Sequence, residues 1–124
     1  MRAWTADELN RIGSAEEIDI AARRGDGTLR RPVTIWVVPY DDGLYVRSVR
    51  GPGGAWYQGT QETREGQIRA DGIDKDVRFE DADQATDHQI DAAYREKYHR
   101  YPANILNSIL TTQARATTTR LVPR

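Results

Sequence analysis

Apolar and polar positions divide the chain into segments of two different periods. Thr5 and Glu8 have the spacing of a capping box, and Leu9 and Ile12 follow three apart, so residues 5–13 read as a short helix. Residues 16–23, EEIDIAAR, then alternate. Ile18, Ile20 and Ala22 share one face and Asp19, Ala21 and Arg23 the other, which is the pattern of a half-buried strand. GDGT at 25–28 is a hairpin signal, because Asp-Gly tolerates the positive φ angles of tight turns. PVTIWVVPY at 32–40 is the most apolar stretch and reads as one strand covered on both faces, with Pro32 and Pro39 marking its ends. DDG at 41–43 supplies the next turn and LYVRSV at 44–49 answers it. Leu44, Val46 and Ser48 fall on one face of that strand, and Tyr45, Arg47 and Val49 on the other. RGPGG at 50–54 breaks the pattern and reads as a loop. GQIRA at 66–70 and DVRFED at 76–81 read as two further strands joined through DGIDK.

The period changes after residue 81. Ile90, Tyr94, Lys97, Tyr98 and Tyr101 recur at helical spacing, and Pro102 ends or kinks that helix. ANILNSILT reads as a second helical piece, and ATTTRLVP, rich in β-branched residues, as a final strand. The tight turns require antiparallel neighbours, because two-residue connections cannot join parallel strands. The expected fold is mainly β within the α+β class. It is a small six-stranded antiparallel split β-barrel with flanking helices, in a single domain over residues 1–124, with the terminal strand closing the barrel.

Composition narrows the chemistry. The 124 residues contain no cysteine, which excludes disulfides, thiolate metal sites and cysteine nucleophiles. Basic and acidic residues number 18 and 19, with no basic half, so a nucleic-acid partner is not expected. No apolar run is long enough to span a membrane, and MRAWTADELN lacks the apolar core of a signal peptide. A cytoplasmic protein is therefore expected. Of the 18 basic residues only Lys75 and Lys97 are lysines. Base composition accounts for that bias, but arginine is also the rigid fork for phosphate and carboxylate.

His88 and His99 would share a helical face but stand about 16 Å apart along the axis, too far for one metal ion. The carboxylates between Asp71 and Asp87 lack the spacing of a calcium loop, so no metal site is expected. GPGGAW lacks the lysine and hydroxyl residue of a nucleotide-binding loop, and no nucleophile elbow occurs. The aromatic set has more to offer. Tyr94, Tyr98 and Tyr101 read as core packing. Trp56 and Tyr57, beside a glycine loop and several arginines, read equally well as core or as a platform for a flat anionic ligand. Arg47, Ser48 and Arg50 would hold the anion. Strand alternation sends Arg47 and Ser48 to opposite faces, so both reach one ligand only if a bulge intervenes.

The segments TIWVVPYDDGLYVRSVRGPGGAWYQG, REGQIRADG, DVRFED, IDAAYREKY and TTTRLVPR together resemble the bacterial domain-of-unknown-function family 2255. More distantly, the order of strands, glycine loop, Trp and helix is similar to the flavin- and deazaflavin-binding split-barrel oxidoreductases. That second resemblance implies a homodimer and a cofactor, FMN or deazaflavin, held around the strand-loop-Trp region. The matching residues here are Arg47, Ser48, Gly54, Ala55 and Trp56; beside them Arg50 is a further candidate for the cofactor, Trp36 and Arg64 for a small-molecule substrate, and Tyr57 or Tyr45 for proton donor. The expected activity is reduction of a small organic molecule. The alternatives are a cofactor-free enzyme of specialised metabolism that promotes cyclisation or elimination in a preorganised pocket, or a non-catalytic binding or dimerisation module.

Overall fold

The computed structural model describes residues 3–124. Helix α1 (Ala6–Ser14) begins where the capping box places it. The Thr5 hydroxyl accepts from Glu8 N at 3.0 Å and the Glu8 carboxylate accepts from Thr5 N at 2.9 Å. Seven strands follow: β1 (Ile18–Ala22), β2 (Val33–Ile35), β3 (Val38–Tyr40), β4 (Gly43–Val46), β5 (Glu65–Ala70), β6 (Ile73–Asp81) and β7 (Thr119–Pro123). All pair antiparallel in one sheet of order β2-β1-β5-β6-β7-β4-β3.

The strand count differs from six because the apolar stretch 32–40 is two strands. β2 and β3 lie at opposite edges of the sheet, yet only Trp36 and Val37 separate them in sequence. The sheet must therefore curl until its edges meet, and the bend at 36–37 joins them. β2 is also not covered on both faces: Val33 and Thr34 are exposed. A bend in a strand strips backbone groups of ladder partners, and a buried orphan costs about 1–3 kcal/mol. Helix α3 (Asp87–Lys97) and its C-terminal flank meet that demand. Val37 N donates to the Tyr98 hydroxyl at 3.2 Å, and Val37 O accepts from Lys97 Nζ at 2.6 Å. The Trp36 and Tyr98 rings stack at 3.9 Å.

β7 lies between β6 and β4, so the C-terminal strand closes the barrel wall as the pattern required. The β5–β6 turn is shorter than DGIDK. Ala70 pairs with Ile73, and Asp71 and Gly72 alone make the turn, both at positive φ, a geometry that Asp-Gly supplies. Two clusters form the core. Inside the curl, Ile18, Ile20, Leu44, Val46, Ile68, Val77, Phe79 and Leu121 pack with Ile12 of α1 and with Trp4. Outside it, Val38 and Tyr45 pack beneath Ile90, Tyr94 and Tyr98 of the α3 region. Each large side chain so buried contributes roughly 1.5–3 kcal/mol.

One element was not legible. Residues 55–63 form a helix, α2 (Ala55–Thr63). Its sequence, AWYQGTQET, shows no apolar stripe, because its buried positions are Gly59 and Thr60. A side chain at Gly59 would come within 3.0 Å of Arg30 and 3.4 Å of Ala22. The helix therefore packs on β1 through the absence of a side chain, which a hydrophobic pattern cannot reveal. Beyond α3, the chain makes two short helices, α4 (Ala103–Asn107) and α5 (Thr112–Arg115), before β7.

Candidate functional site

β4 ends at Val46, and the next four residues turn the chain back on itself. Gly51 N donates to Ser48 O at 2.9 Å and Gly54 N to Gly51 O at 3.0 Å. Gly51 takes φ +70°, where only glycine is unstrained, and a Cβ there would lie 2.8 Å from Gln113 Cβ. The turn sets the start of α2 directly against Ser48: a Cβ on Gly54 would sit 2.4 Å from Ser48 Oγ. Gly54 is the N-cap of α2 and brings no side chain to cap it, so the first amides of that helix have no side-chain acceptor.

A cavity of about 550 Å³ opens at this point, between β2, the end of β4, the start of α2 and α4. Arg47, Ser48, Arg50, Gly54, Ala55 and Trp56 all line it. Trp36, at the bend between β2 and β3, forms another part of the wall. Seven residues named from sequence therefore meet at one cavity. The other three stand elsewhere. Tyr45 points into the outer core, with Tyr40 at 6.3 Å and Arg120 over its ring at 6.0 Å. Arg64 caps the C-terminus of α2 in the left-handed region and pairs with Asp81 at 3.0 Å. Tyr57 meets Trp56 edge-on at 6.2 Å but is not part of the cavity wall. Burial raises the pKa of both Tyr45 and Tyr57.

Strand alternation persists to the end of β4 and separates Arg47 from Ser48 without a bulge. Leu44 and Val46 face the barrel interior, while Tyr45 faces the helices. Arg47 follows Tyr45 outward and is fully buried there. Its Nη1 contacts Asp91 Oδ1 at 2.5 Å and Ile109 O at 3.3 Å, and Nε donates to Thr118 Oγ1 at 2.8 Å. The guanidinium also lies 5.5 Å from the Tyr94 ring. Asp91 takes a second fork from Arg115, at 3.0 and 2.6 Å. Burial alone would raise the Asp91 pKa, but the hydrogen bonds from Arg115 and Arg47 outweigh it and hold the carboxyl below its ordinary range. Arg47 thus forms part of the cavity floor while its donors are engaged behind it.

Ser48 is different. It is 1 % exposed, and its backbone N–H donates to Thr117 Oγ1 at 2.8 Å. Its hydroxyl makes no hydrogen bond among the described residues, and it lies beside the uncapped start of α2. Arg50, exposed at the mouth, has no ion-pair partner among the described residues, unlike most arginines here. The pattern missed several wall residues: Glu17, Val33, Ile105 and Ser108. Nothing local marks them. Val33, Val49 and Ile105 are the large hydrophobic side chains most exposed among the described residues, and all three stand at this cavity.

Among the described residues, no group of three or more His, Cys, Asp or Glu side chains is placed to hold a metal ion. No helix is long and apolar enough to cross a membrane.

A curled antiparallel sheet with its edges joined at a bend, and a cavity at the mouth, defines the split β-barrel class. The chain belongs to the bacterial family DUF2255, described as an uncharacterized protein conserved in bacteria, which matches residues 8–121. No curated protein matches it in sequence. Solved structures share the fold at low identity. HutZ, the heme storage protein from Vibrio cholerae, aligns with a TM-score of 0.62 and 11% identity, covering 100% of this chain and 92% of that one. An FAD-binding protein from Mesorhizobium loti aligns at 0.59 and 17% identity, over 99% and 92% of the two chains. An F420 reductase aligns at 0.53 and 14% identity, over 94% and 90%.

Proposed function

We propose that the cavity binds a flavin or deazaflavin cofactor and that the protein is a reductase for a small organic molecule. The observation that carries this reading is the convergence of Ser48 Oγ, the uncapped N-terminus of α2 and Arg50 on one cavity. Free helix amides, a hydroxyl and an arginine together present hydrogen-bond donors to a phosphate group. A volume of about 550 Å³ lies within the range for small-molecule and cofactor pockets. The residues present therefore fit such a group. Ser48, Arg50 and the backbone of Gly54–Trp56 would hold the phosphate, and Trp36 and Trp56 would offer aromatic wall to the rings. The cofactor supplies hydride transfer; the protein supplies orientation and exclusion of water.

In this reading Arg47 positions the site and does not grip the ligand. Its pairing with Asp91 and Thr118 fixes the backbone from which Ser48 projects. Several polar groups converging on one cleft favour a cofactor reader over a cofactor-free enzyme, whose cavity would be closed and apolar with one or two polar groups. The rim supports a homodimer in this reading. Val33, Val49 and Ile105 leave apolar surface open at the cavity mouth, and a second copy of the chain would cover it and complete the enclosure.

The test is an absorbance and fluorescence titration of the purified protein with FMN and with coenzyme F420. Saturable binding is expected, weakened at least tenfold in Gly54→Ala, whose Cβ displaces Ser48 Oγ. Absence of binding by both compounds at high micromolar concentration overturns the reading.

A further inference from the structure

A second cavity lies between the end of α1, β3 and the C-terminal part of α3. It holds about 350 Å³ and is lined by Gly13, Ser14, Pro39, Glu96, Lys97 and Arg100, among others. Lys97, the last residue of α3, forms part of its wall. Its ammonium group has no carboxylate partner within salt-bridge distance among the described residues. It donates to Val37 O at 2.6 Å and lies 5.1 Å from the Tyr98 ring. Two carboxylates, Glu16 and Glu96, also line this cavity. Glu16 is bonded by Arg100 and by the Tyr101 hydroxyl, and Glu96 stands on the same helix. The other lysine, Lys75, is instead paired with Glu8 at 2.9 Å.

We propose that Lys97 is an amine nucleophile that forms an imine with small aldehydes entering this second cavity. The amine lone pair attacks the carbonyl carbon, nitrogen gives up one proton to solvent as the carbonyl oxygen takes one, and the resulting carbinolamine loses its hydroxyl and the remaining N–H proton as one molecule of water. The product is an imine, with no change of oxidation state. The geometry supplies what such a lysine needs: partial burial, no carboxylate within salt-bridge distance among the described residues, and a place in the wall of a cavity. Burial lowers the Lys97 pKa to about 8; Arg100 adds to this, and Glu16 opposes it. Roughly a tenth of Lys97 is then uncharged at pH 7, against roughly one in a few thousand for an ordinary lysine.

With only two lysines, the chain carries its own internal control. The intact protein is incubated with glyoxylate, whose carboxylate Arg100 would tolerate at the cavity wall, and the imine is trapped with cyanoborohydride. Peptide mass mapping then separates Lys97, Lys75 and the α-amino group, which titrates in the same range as Lys97. The expected result is at least about tenfold more adduct on Lys97 than on Lys75 at pH 7, with the Lys97 rate rising to a plateau near pH 8–9. The preference is expected to vanish in urea. Equal modification of the two lysines in the folded protein, or a Lys97 rate still climbing through pH 10, overturns the proposal. Lys97→Arg keeps a donor near Val37 O and checks the assignment: the adduct must disappear from that peptide.

Discussion

Arg47 carries a full positive charge where water does not reach. Such a residue is tolerable only because Asp91, Thr118 and the Ile109 carbonyl occupy its donors, and because Asp91 is held in turn by Arg115. Arg47→Ala leaves the buried Asp91 with one partner fewer and opens a void against Tyr94. The expected loss of stability is about 3–5 kcal/mol, read from urea unfolding. Arg47→Lys is expected to recover only part of it, since an ammonium cannot present the fork. If Arg47→Ala instead unfolds at the wild-type midpoint, the network has no structural role and the arginine is free to serve a ligand. From sequence, Arg47 and Ser48 stood out as polar residues in an apolar strand and as candidate holders of an anion. Their separation onto two faces was legible from alternation. Which one spends its donors internally was not, because Asp91, Ile109 and Thr118 are 44 to 71 positions away.

At the scale of elements, the decisive feature is the bend at Trp36–Val37. An unbroken strand over 32–40 would satisfy local β-propensity, but it would leave an open sheet. The bend joins the two edges, and the α3 region supplies the hydrogen bonds that the bent backbone loses. Tyr98 is central, because its hydroxyl accepts from Val37 N and donates to Glu16 O at 2.8 Å. Tyr98→Phe removes both contacts while keeping the Trp36 stack. It is expected to destabilise the protein by about 1–3 kcal/mol, with faster amide exchange concentrated at Val37 and its neighbours. Unchanged exchange at Val37 contradicts this account of how the corner is held. The same scale explains α2. Gly59 and Thr60 pack because they are small, so the helix whose first residues line the cavity left no periodic trace.

For the whole molecule, pH dependence follows from the shifted groups. The Asp91 carboxyl is held below its unfolded value, so the stability it contributes is present above about pH 4 and is lost as pH falls further. Lys97 has the opposite relation to its unfolded state. Folding lowers its pKa to about 8 from about 10.4, so the unfolded chain binds more protons between those values. Stability from this group therefore rises with pH across that window. Tyr94 and Tyr98, whose pKa values burial raises, reverse the trend above about pH 10, where only the unfolded phenols ionise. Thermal unfolding from pH 7 to 11 should thus show a maximum between 9 and 10. Lys97→Met should flatten the rise from about pH 8 up to that maximum, and a wild-type profile that falls steadily from pH 7 contradicts the assignment.

Sequence by itself determined the antiparallel class, the capped first helix, the positions of most strands and the short list from which most of the cavity wall is drawn. It could do so because periodicity, turn chemistry and caps are set by neighbours along the chain. Tertiary structure alone decided that residues 32–40 serve both edges of one sheet, that Arg47 is spent on a buried pair with Asp91 outside the barrel, and that Ser48 keeps a free hydroxyl at the uncapped start of α2. Each of those outcomes depends on groups distant in sequence competing for the same buried donors and acceptors, and only the folded chain fixes which of them meet.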